Sequence, residues 1–518
     1  MSKALTTKTV VWDELRALPG HRLLIGFIIV AVCLRLIFWL YTGRTWEDAI
    51  ISLTPARNLW DGFGLTHHAS EPRVHSFTSG LGEIVLIIGE AVRAGLTTMR
   101  VVSIFAAAFA LYYAFRVGVI LSFHWSAQLL VLAYLAADHL QIFFGMGGME
   151  TQLATALVLA NVYYYLNSNW TKLGIVGGLA VICRPELGLW GLILGAAIVL
   201  WHRQAFVKVA VPAILIAGVW FGFAALYYGS PIPHTITVKS GATMINNDIG
   251  QIATYLSSFW SHIAPFLQFW QVGEAPVPEI LLQAVVALLL LLGSAGAVHA
   301  ARFQPRMLAV LALLLAFLLY RAWGNVNPYF MWYMPPFVAL LFLFAAAGIS
   351  WLAQKYTSAA IGIACVLALA YSAPVFLAMP LDRAQQQVIE DNVRTRVGAR
   401  LNELMSADDA VVLEPAGYVG WEIRPKTMYD FPGLTSPRAF EAWKKHHHMT
   451  GLIIELNPRF VVQRPPERLE FEEREPELAA RYEAVETFRA EPGFHLSNAG
   501  LLYWPIDTEF TIYRRRDE

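Results

Sequence analysis

RLLIGFIIVAVCLRLIFWLY (residues 22–41) runs straight into TGRTWEDAI (residues 42–50), and that junction decides the architecture. The first string has the roughly 20 apolar residues that one crossing of a bilayer needs. A few residues later comes the acidic pair Glu47-Asp48, followed by Ile50, Leu53, Arg57 and Trp60 at helical spacing. The sequence therefore predicts a spanning helix, then a helix along the membrane surface with two carboxylates at its start. Ionised carboxylates at such a boundary are functional candidates, and the dipole of the helix they open favours their charged form. The bland alternative is an Asp that caps an interfacial helix.

The rest of the chain agrees with a lipid solvent. Of 518 residues 57% are hydrophobic and 15% charged, with mean hydropathy +0.49, which excludes a single water-soluble core. The 38 basic and 38 acidic residues cancel without a basic run, so nucleic acid is excluded as a partner. Cys33, Cys183 and Cys365 all lie in apolar runs, which excludes a disulfide framework and a cysteine zinc cluster. Lys3, Lys8, Arg16 and Arg22 precede the first run, and no small-residue cleavage site follows it closely. The expectation is an uncleaved anchor with a cytoplasmic N-terminus.

Further spans are expected over 126–144, 150–166, 208–228, 278–298, 306–321, 329–350 and 357–377. Two regions read ambiguously. Residues 78–121 hold two apolar runs separated by Arg93 and Arg100, and residues 171–200 are interrupted by Arg184-Pro185-Glu186. The positive-inside rule places Arg203 with Lys208, Arg302 with Arg306, and Lys355 in the cytoplasm. All three loops fall inside if 78–121 crosses once and 171–200 crosses twice, for about eleven spans. Glu47-Asp48, the Gly147–Glu150 loop, the Arg184–Glu186 turn and the 229–277 loop then share the outer face of a plasma (inner) membrane.

After Pro380 charged residues become frequent and apolar runs shrink to strand length. Residues 1–380 thus form a membrane domain and 381–518 an outer soluble α/β domain. Strands are expected at 410–413, 460–463, 501–504 and 510–513, and helices at 383–404 and 475–488.

Downstream of Glu47-Asp48-Ala49-Ile50 come Ala56-Arg57-Asn58-Leu59, Gly62-Phe63-Gly64 and Ser76-Phe77-Thr78-Ser79-Gly80-Leu81. Gly148-Met149-Glu150-Thr151, Arg184-Pro185-Glu186, Pro233-His234-Thr235 with Lys239, and Gly417-Tyr418-Val419-Gly420 with Asp430 and Gly433-Leu434 follow in order. This series resembles the GT-C class of membrane glycosyltransferases, most closely the branch that includes the mycobacterial terminal β-arabinofuranosyltransferases. Glu47, Phe77 and Gly80 depart from that branch's Asp, Tyr and Pro.

The resemblance implies a GT-C-like helical membrane protein that moves a sugar, arabinofuranose in that branch, from a polyprenyl-phosphate donor to a glycan or glycolipid acceptor outside the cytoplasm. It implies Asp48 as general base with Glu47 beside it, and Arg57, His75, Glu150, Arg184, Glu186, His234, Lys239 and Tyr333 as substrate-binding candidates. A divalent ion on Glu47 or Glu150 stays open. Each residue also has an ordinary reading. Glu150 and Glu186 suit structural ion pairs with Arg184, His234 and Lys239 suit solvated positions, and Trp332 and Tyr333 suit an interfacial belt. His67, His68 and His75 fit no recognised metal spacing, and His446–His448 suit a solvated surface. A transporter or flippase is the rival class, although no internal symmetry supports it.

Overall fold

The computed structural model describes residues 20–242, 277–323, 331–491, 494 and 505–516. The expected strand at 501–504, Tyr329, Lys3, Lys8, Arg16 and most of the 229–277 loop lie outside these residues. The chain is a polytopic helical membrane protein with a C-terminal α/β domain. Among the described residues seven helices are long and apolar enough to cross a membrane, and three shorter apolar helices accompany them.

The first helix, α1 (His21–Thr42), ends at Gly43, whose φ of 63° suits a residue without a side chain and turns the chain out of the bundle. Helix α2 (Glu47–Trp60) follows, then α3 (Gly80–Glu90), too short to span, and α4 (Gly95–Ile120). The expected 126–144 span is two helices, α5 (Trp125–Ala137) and α6 (His139–Met146). Asp138 causes this break by accepting a hydrogen bond from the Gln141 N–H at 2.9 Å. Fully buried Arg35 donates to the freed carbonyls of Ala136, at 2.9 Å, and Leu135, at 3.2 Å.

At 171–200 the break falls where the charged triplet predicts it. Helix α7 (Thr151–Leu166) is followed by α8 (Trp170–Cys183), a 3₁₀ turn at Pro185–Leu187 and α9 (Gly188–Trp201). Contacts at the two ends fix their direction. Arg184 pairs with Glu150 at one end. At the other, Arg306 donates to the carbonyls of Tyr165 and Leu166 and to His202. Helices α8 and α9 therefore each run the depth of the bundle. Three more long helices, Phe206–Tyr228, Glu279–Phe303 and Pro335–Ala353, and the shorter Met307–Trp323 join the bundle.

The last membrane segment runs from Thr357 to Leu404 as the helices Thr357–Ser372 and Pro374–Gln385, a π-helical stretch and the helix Thr395–Leu404. Residues Gln386–Arg394 within it wind as a π-helix, which keeps Gln386, Glu390 and Arg394 facing the start of α2. Beyond it lies a five-stranded sheet in the order β2-β1-β3-β5-β4: β1 (Ala410–Leu413), β2 (Thr427–Asp430), β3 (Phe460–Gln463), β4 (Tyr482–Arg489) and β5 (Glu509–Arg515). The first three are parallel and the last two antiparallel. The expected helix at 475–488 is overturned, because Pro476–Ala479 makes one short turn and Tyr482–Arg489 is the edge strand β4. Its exposed charges mimic a solvated helix face, while Tyr482 and Phe488 are buried against the sheet.

The carboxyl ends of β1 and β2 point toward the bundle, where the Gly417 N–H reaches Glu47 and Leu434 reaches the cleft, and Ile51 of α2 joins the apolar core of the C-terminal domain. An alternating charge ladder closes the joint. Arg394 binds Glu47, Glu390 at 2.9 Å and Asp507 at 2.6 Å, Arg44 binds Glu390 at 2.9 Å, and Arg464 binds Asp507 at 2.9 Å. Removing one partner of such a buried set leaves uncompensated charge and costs about 3–5 kcal/mol. Arg394→Ala should therefore lower the thermal midpoint of the purified protein markedly, with Arg394→Lys in between. Equal midpoints for wild type and Arg394→Ala would show that the acids do not depend on that guanidinium.

Candidate active site

Helix α2 opens at Trp46, which is buried and whose N–H donates to the Gly147 carbonyl at 2.9 Å. That bond ties the start of α2 to the Gly147–Glu150 loop. Asp48 is inside the first turn and Trp46 holds the cap position, so the capping alternative does not apply. The Asp48 carboxylate is about one-third exposed and stands 3.9 Å from the Lys239 ammonium.

Both line a cleft of about 450 Å³, counting its open mouth, together with Glu150, Arg184, Trp332 and the hydroxyl-rich segment Ser76–Ser79. Arg184 is only 2% exposed, in extended conformation at the end of α8. Its Nε meets Glu150 at 2.9 Å, its Nη2 donates to Thr151 at 3.3 Å, and Glu186 lies 3.8 Å from Nη1. The guanidinium stands 4.8 Å from the centre of the Tyr333 ring, and Lys239 stands 5.6 Å from that of Trp332. The structure thus brings Asp48, Glu150, Arg184, Glu186, Lys239 and Tyr333 together.

Four other expected residues do not line the cleft. Glu47 is held by Arg394 and by the Gly417 N–H at 2.9 Å, at the joint with the outer domain. Arg57 pairs with Glu90 and stands over Trp421. His234 bonds the Gly433 carbonyl at 3.0 Å, and His75 stacks on Tyr228 with ring centres 4.9 Å apart. Since Glu47 and Glu150 each already face a guanidinium, these residues do not fit a divalent ion at either position. Among the described residues no cluster of three metal-ligating side chains occurs.

The C-terminal domain enters the cleft through Leu434. Buried Asp430 shapes that turn by accepting from the N–H groups of Leu434 and Thr435 and from the Thr435 hydroxyl. Gly433 has φ 102°, and a Cβ there would stand 2.4 Å from the Phe440 nitrogen. Arg394 escapes a sequence reading because its partners Glu47 and Asp507 are distant in the chain, and buried Arg321 stands 5.9 Å from the Tyr333 ring centre.

A family model described as a domain of unknown function (DUF8728) matches residues 382–513. No curated protein matches the chain by sequence. Among solved structures, ArnT from Cupriavidus metallidurans bound to undecaprenyl phosphate superposes with TM-score 0.55 at 10% identity, over 96% of this chain and 98% of that one. This chain has a GT-C fold. The Archaeoglobus fulgidus oligosaccharyltransferase, tethered with an acceptor peptide, gives 0.51 at 13% identity over 90% and 73%. Mycobacterial arabinofuranosyltransferase AftD gives 0.50 at 14% identity over 97% and 40%.

In this fold the loop after α2 is held by the C-terminal domain through His68, whose Nε2 is 3.2 Å from the Thr435 hydroxyl, and through Ser70 on Thr427. Burial pushes His68 down to about 4 and pushes the Glu71 carboxyl up to about 7, with Ser436 and Arg438 giving partial relief. The folded Glu71 holds a proton that the unfolded one, near 4.5, has lost. Stability from this group is full below about pH 4 and falls as pH rises toward 7. Glu71→Gln should therefore flatten the fall in melting temperature between pH 5 and pH 8. An unchanged pH profile would mean that Arg438 neutralises the carboxylate.

Proposed function

We propose that this protein is an inverting glycosyltransferase that moves a sugar from a polyprenyl-phosphate donor to a hydroxyl of a glycan or glycolipid on the outer face of the plasma membrane. The observation that carries the reading is one cleft holding an accessible carboxylate, Asp48, with two cations, Lys239 and Arg184, under a lip supplied by the outer domain. Asp48 takes the proton of the acceptor hydroxyl, and the oxygen attacks the anomeric carbon. The bond from that carbon to the phosphate oxygen breaks, and the lipid phosphate leaves as an anion. A single in-line displacement inverts the anomeric centre.

Lys239 and Arg184 match the charge that develops on the leaving phosphate. Glu150 and Thr151 hold Arg184 from behind, and Tyr333 fixes the plane of its guanidinium. Glu47 then acts as a positioning residue, fixing the turn that presents Asp48. The undecaprenyl phosphate in the ArnT structure and the acceptor peptide in the oligosaccharyltransferase structure support a lipid-linked donor and a separate acceptor on this fold. Arabinofuranose as the sugar rests on the ordered motifs and on the AftD likeness.

The reading assigns residues 1–380 to catalysis and 381–518 to acceptor binding, with about eleven crossings. The clustering of Arg306 and His202 at the end opposite the cleft supports an outward cleft under the positive-inside rule.

Asp48→Asn should fold as wild type and slow transfer from a lipid-linked sugar by about 10²-fold or more, the loss expected of a general base. Wild-type turnover in that variant would remove Asp48 from the chemistry. For orientation, exposed Asp408→Cys should react with an impermeant thiol reagent in intact cells, against a wild type whose three cysteines lie in membrane helices. Reaction only after lysis would reverse the assigned sides.

A further inference from the structure

We propose that His75, Ser76, Glu83 and Tyr228 form a subsite that reads the hydroxyl groups of a sugar ring, an inference that rests on the glycosyl-transfer reading. Ser76 lines the cleft. Its hydroxyl, both His75 ring nitrogens, both Glu83 carboxyl oxygens and the Tyr228 hydroxyl are shut off from solvent with no hydrogen-bond partner in the structure. His75, Ser76 and Glu83 are each no more than 2% exposed. Buried polar atoms are normally paired, so such a concentration beside a cleft calls for a ligand or bound water.

The group is continuous with the site. His75 precedes Ser76, and its ring stacks on Tyr228 at an interplanar angle of 7°. The His75 carbonyl accepts from the His234 N–H at 2.9 Å, at the start of the helix that carries Lys239 to Asp48. Ser79 lines the cleft and accepts from the Gly82 N–H at 2.9 Å, capping the helix that holds Glu83. Trp220 and Phe77 stand beside the His75 ring, with ring centres 6.0 and 4.7 Å away.

The chemistry of the group selects a neutral ligand. Burial pushes His75 down to about 4 and raises Glu83 well above the carboxylate range, so burial favours the uncharged imidazole of the one and the protonated acid of the other. Together with two hydroxyls they offer donors and acceptors without net charge, edged by aromatic rings. That suits a polyol ring and not a phosphate, which Arg184 and Lys239 in the same cleft are charged to meet. The ring belongs either to the donor or to the acceptor.

The test uses purified full-length protein and three variants: Glu83→Leu, Tyr228→Phe and Glu83→Gln. Undecaprenyl phosphate, a panel of undecaprenyl-phosphoryl monosaccharides and, with the bare lipid present, a panel of methyl glycosides are each titrated. Glu83→Leu and Tyr228→Phe should bind the bare lipid as wild type does. They should bind the preferred sugar, lipid-linked or free, about tenfold or more weakly, the arm that weakens naming its source. Glu83→Gln, which keeps one donor and one acceptor, should retain most of the affinity. Glu83→Leu should also melt higher than wild type, since it removes an unpaired buried acid. Unchanged affinity in both sugar titrations, with or without a rise in melting temperature, would overturn the subsite and leave a hydrated packing pocket. Uniform loss of all three ligands, bare lipid included, would overturn it equally. Failure of the transfer reading appears separately, as absence of product from every panel member with wild-type protein, while the titrations still decide the subsite.

Discussion

The arrangement of the site depends on one buried guanidinium. Arg394 meets Glu47 from the loop after the first membrane helix, Glu390 from its own π-helical turn and Asp507 from the segment leading into β5. Each of these charges is costly to bury alone, and only the assembled joint compensates them all. Arg44 and Arg464 extend the alternation at either end. The C-terminal domain therefore docks in a register that pairs these charges, and Glu47, fixed by that register, precedes Asp48 directly. A domain at the end of the last membrane segment becomes part of the frame that positions Asp48.

The cleft combines two kinds of chemistry. Arg184 and Lys239 carry positive charge, moderated by Glu150 and Glu186 and set against the rings of Tyr333 and Trp332. The Ser76–Ser79 segment brings hydroxyls, with His75 and Glu83 buried beside it. A substrate with an anionic part and a neutral polyol part would meet a match for each in one cleft. Asp48 lines that cleft and is about one-third exposed.

Much of this was open to reading because it is local. The apolar runs, the break at Arg184-Pro185-Glu186 and the strands at 410–413 and 460–463 follow from composition and period within short windows. The misreadings are tertiary. Tyr482–Arg489 carries charges at helical spacing and becomes a strand because β5 offers it an edge. Asp138 breaks an otherwise apolar helix because Arg35, about a hundred positions earlier, takes the carbonyls that the break releases. Arg57, His75 and His234 keep sequence company with Asp48, but Glu90, Tyr228 and Gly433 turn their side chains away from it. The pairing of Glu47 with Arg394 spans 347 positions, and no window sees both.

The two broken helices show how one device serves two ends. Unwinding a helix inside a bundle frees backbone groups that must be satisfied where water is scarce. At Asp138 the freed groups are closed off, since Arg35 is committed to Leu135, Ala136 and the Gln152 side chain at 2.7 Å. That break is buried deep in the packed core and has no opening toward the cleft. At Arg184 the partners are the acids Glu150 and Glu186 and a hydroxyl, and the cleft reaches the guanidinium. Carboxylates can hold a guanidinium in place without exhausting its five donors. The first break is therefore a structural hinge point made rigid, whereas the second keeps donor capacity directed into the cleft, where a phosphate can use it.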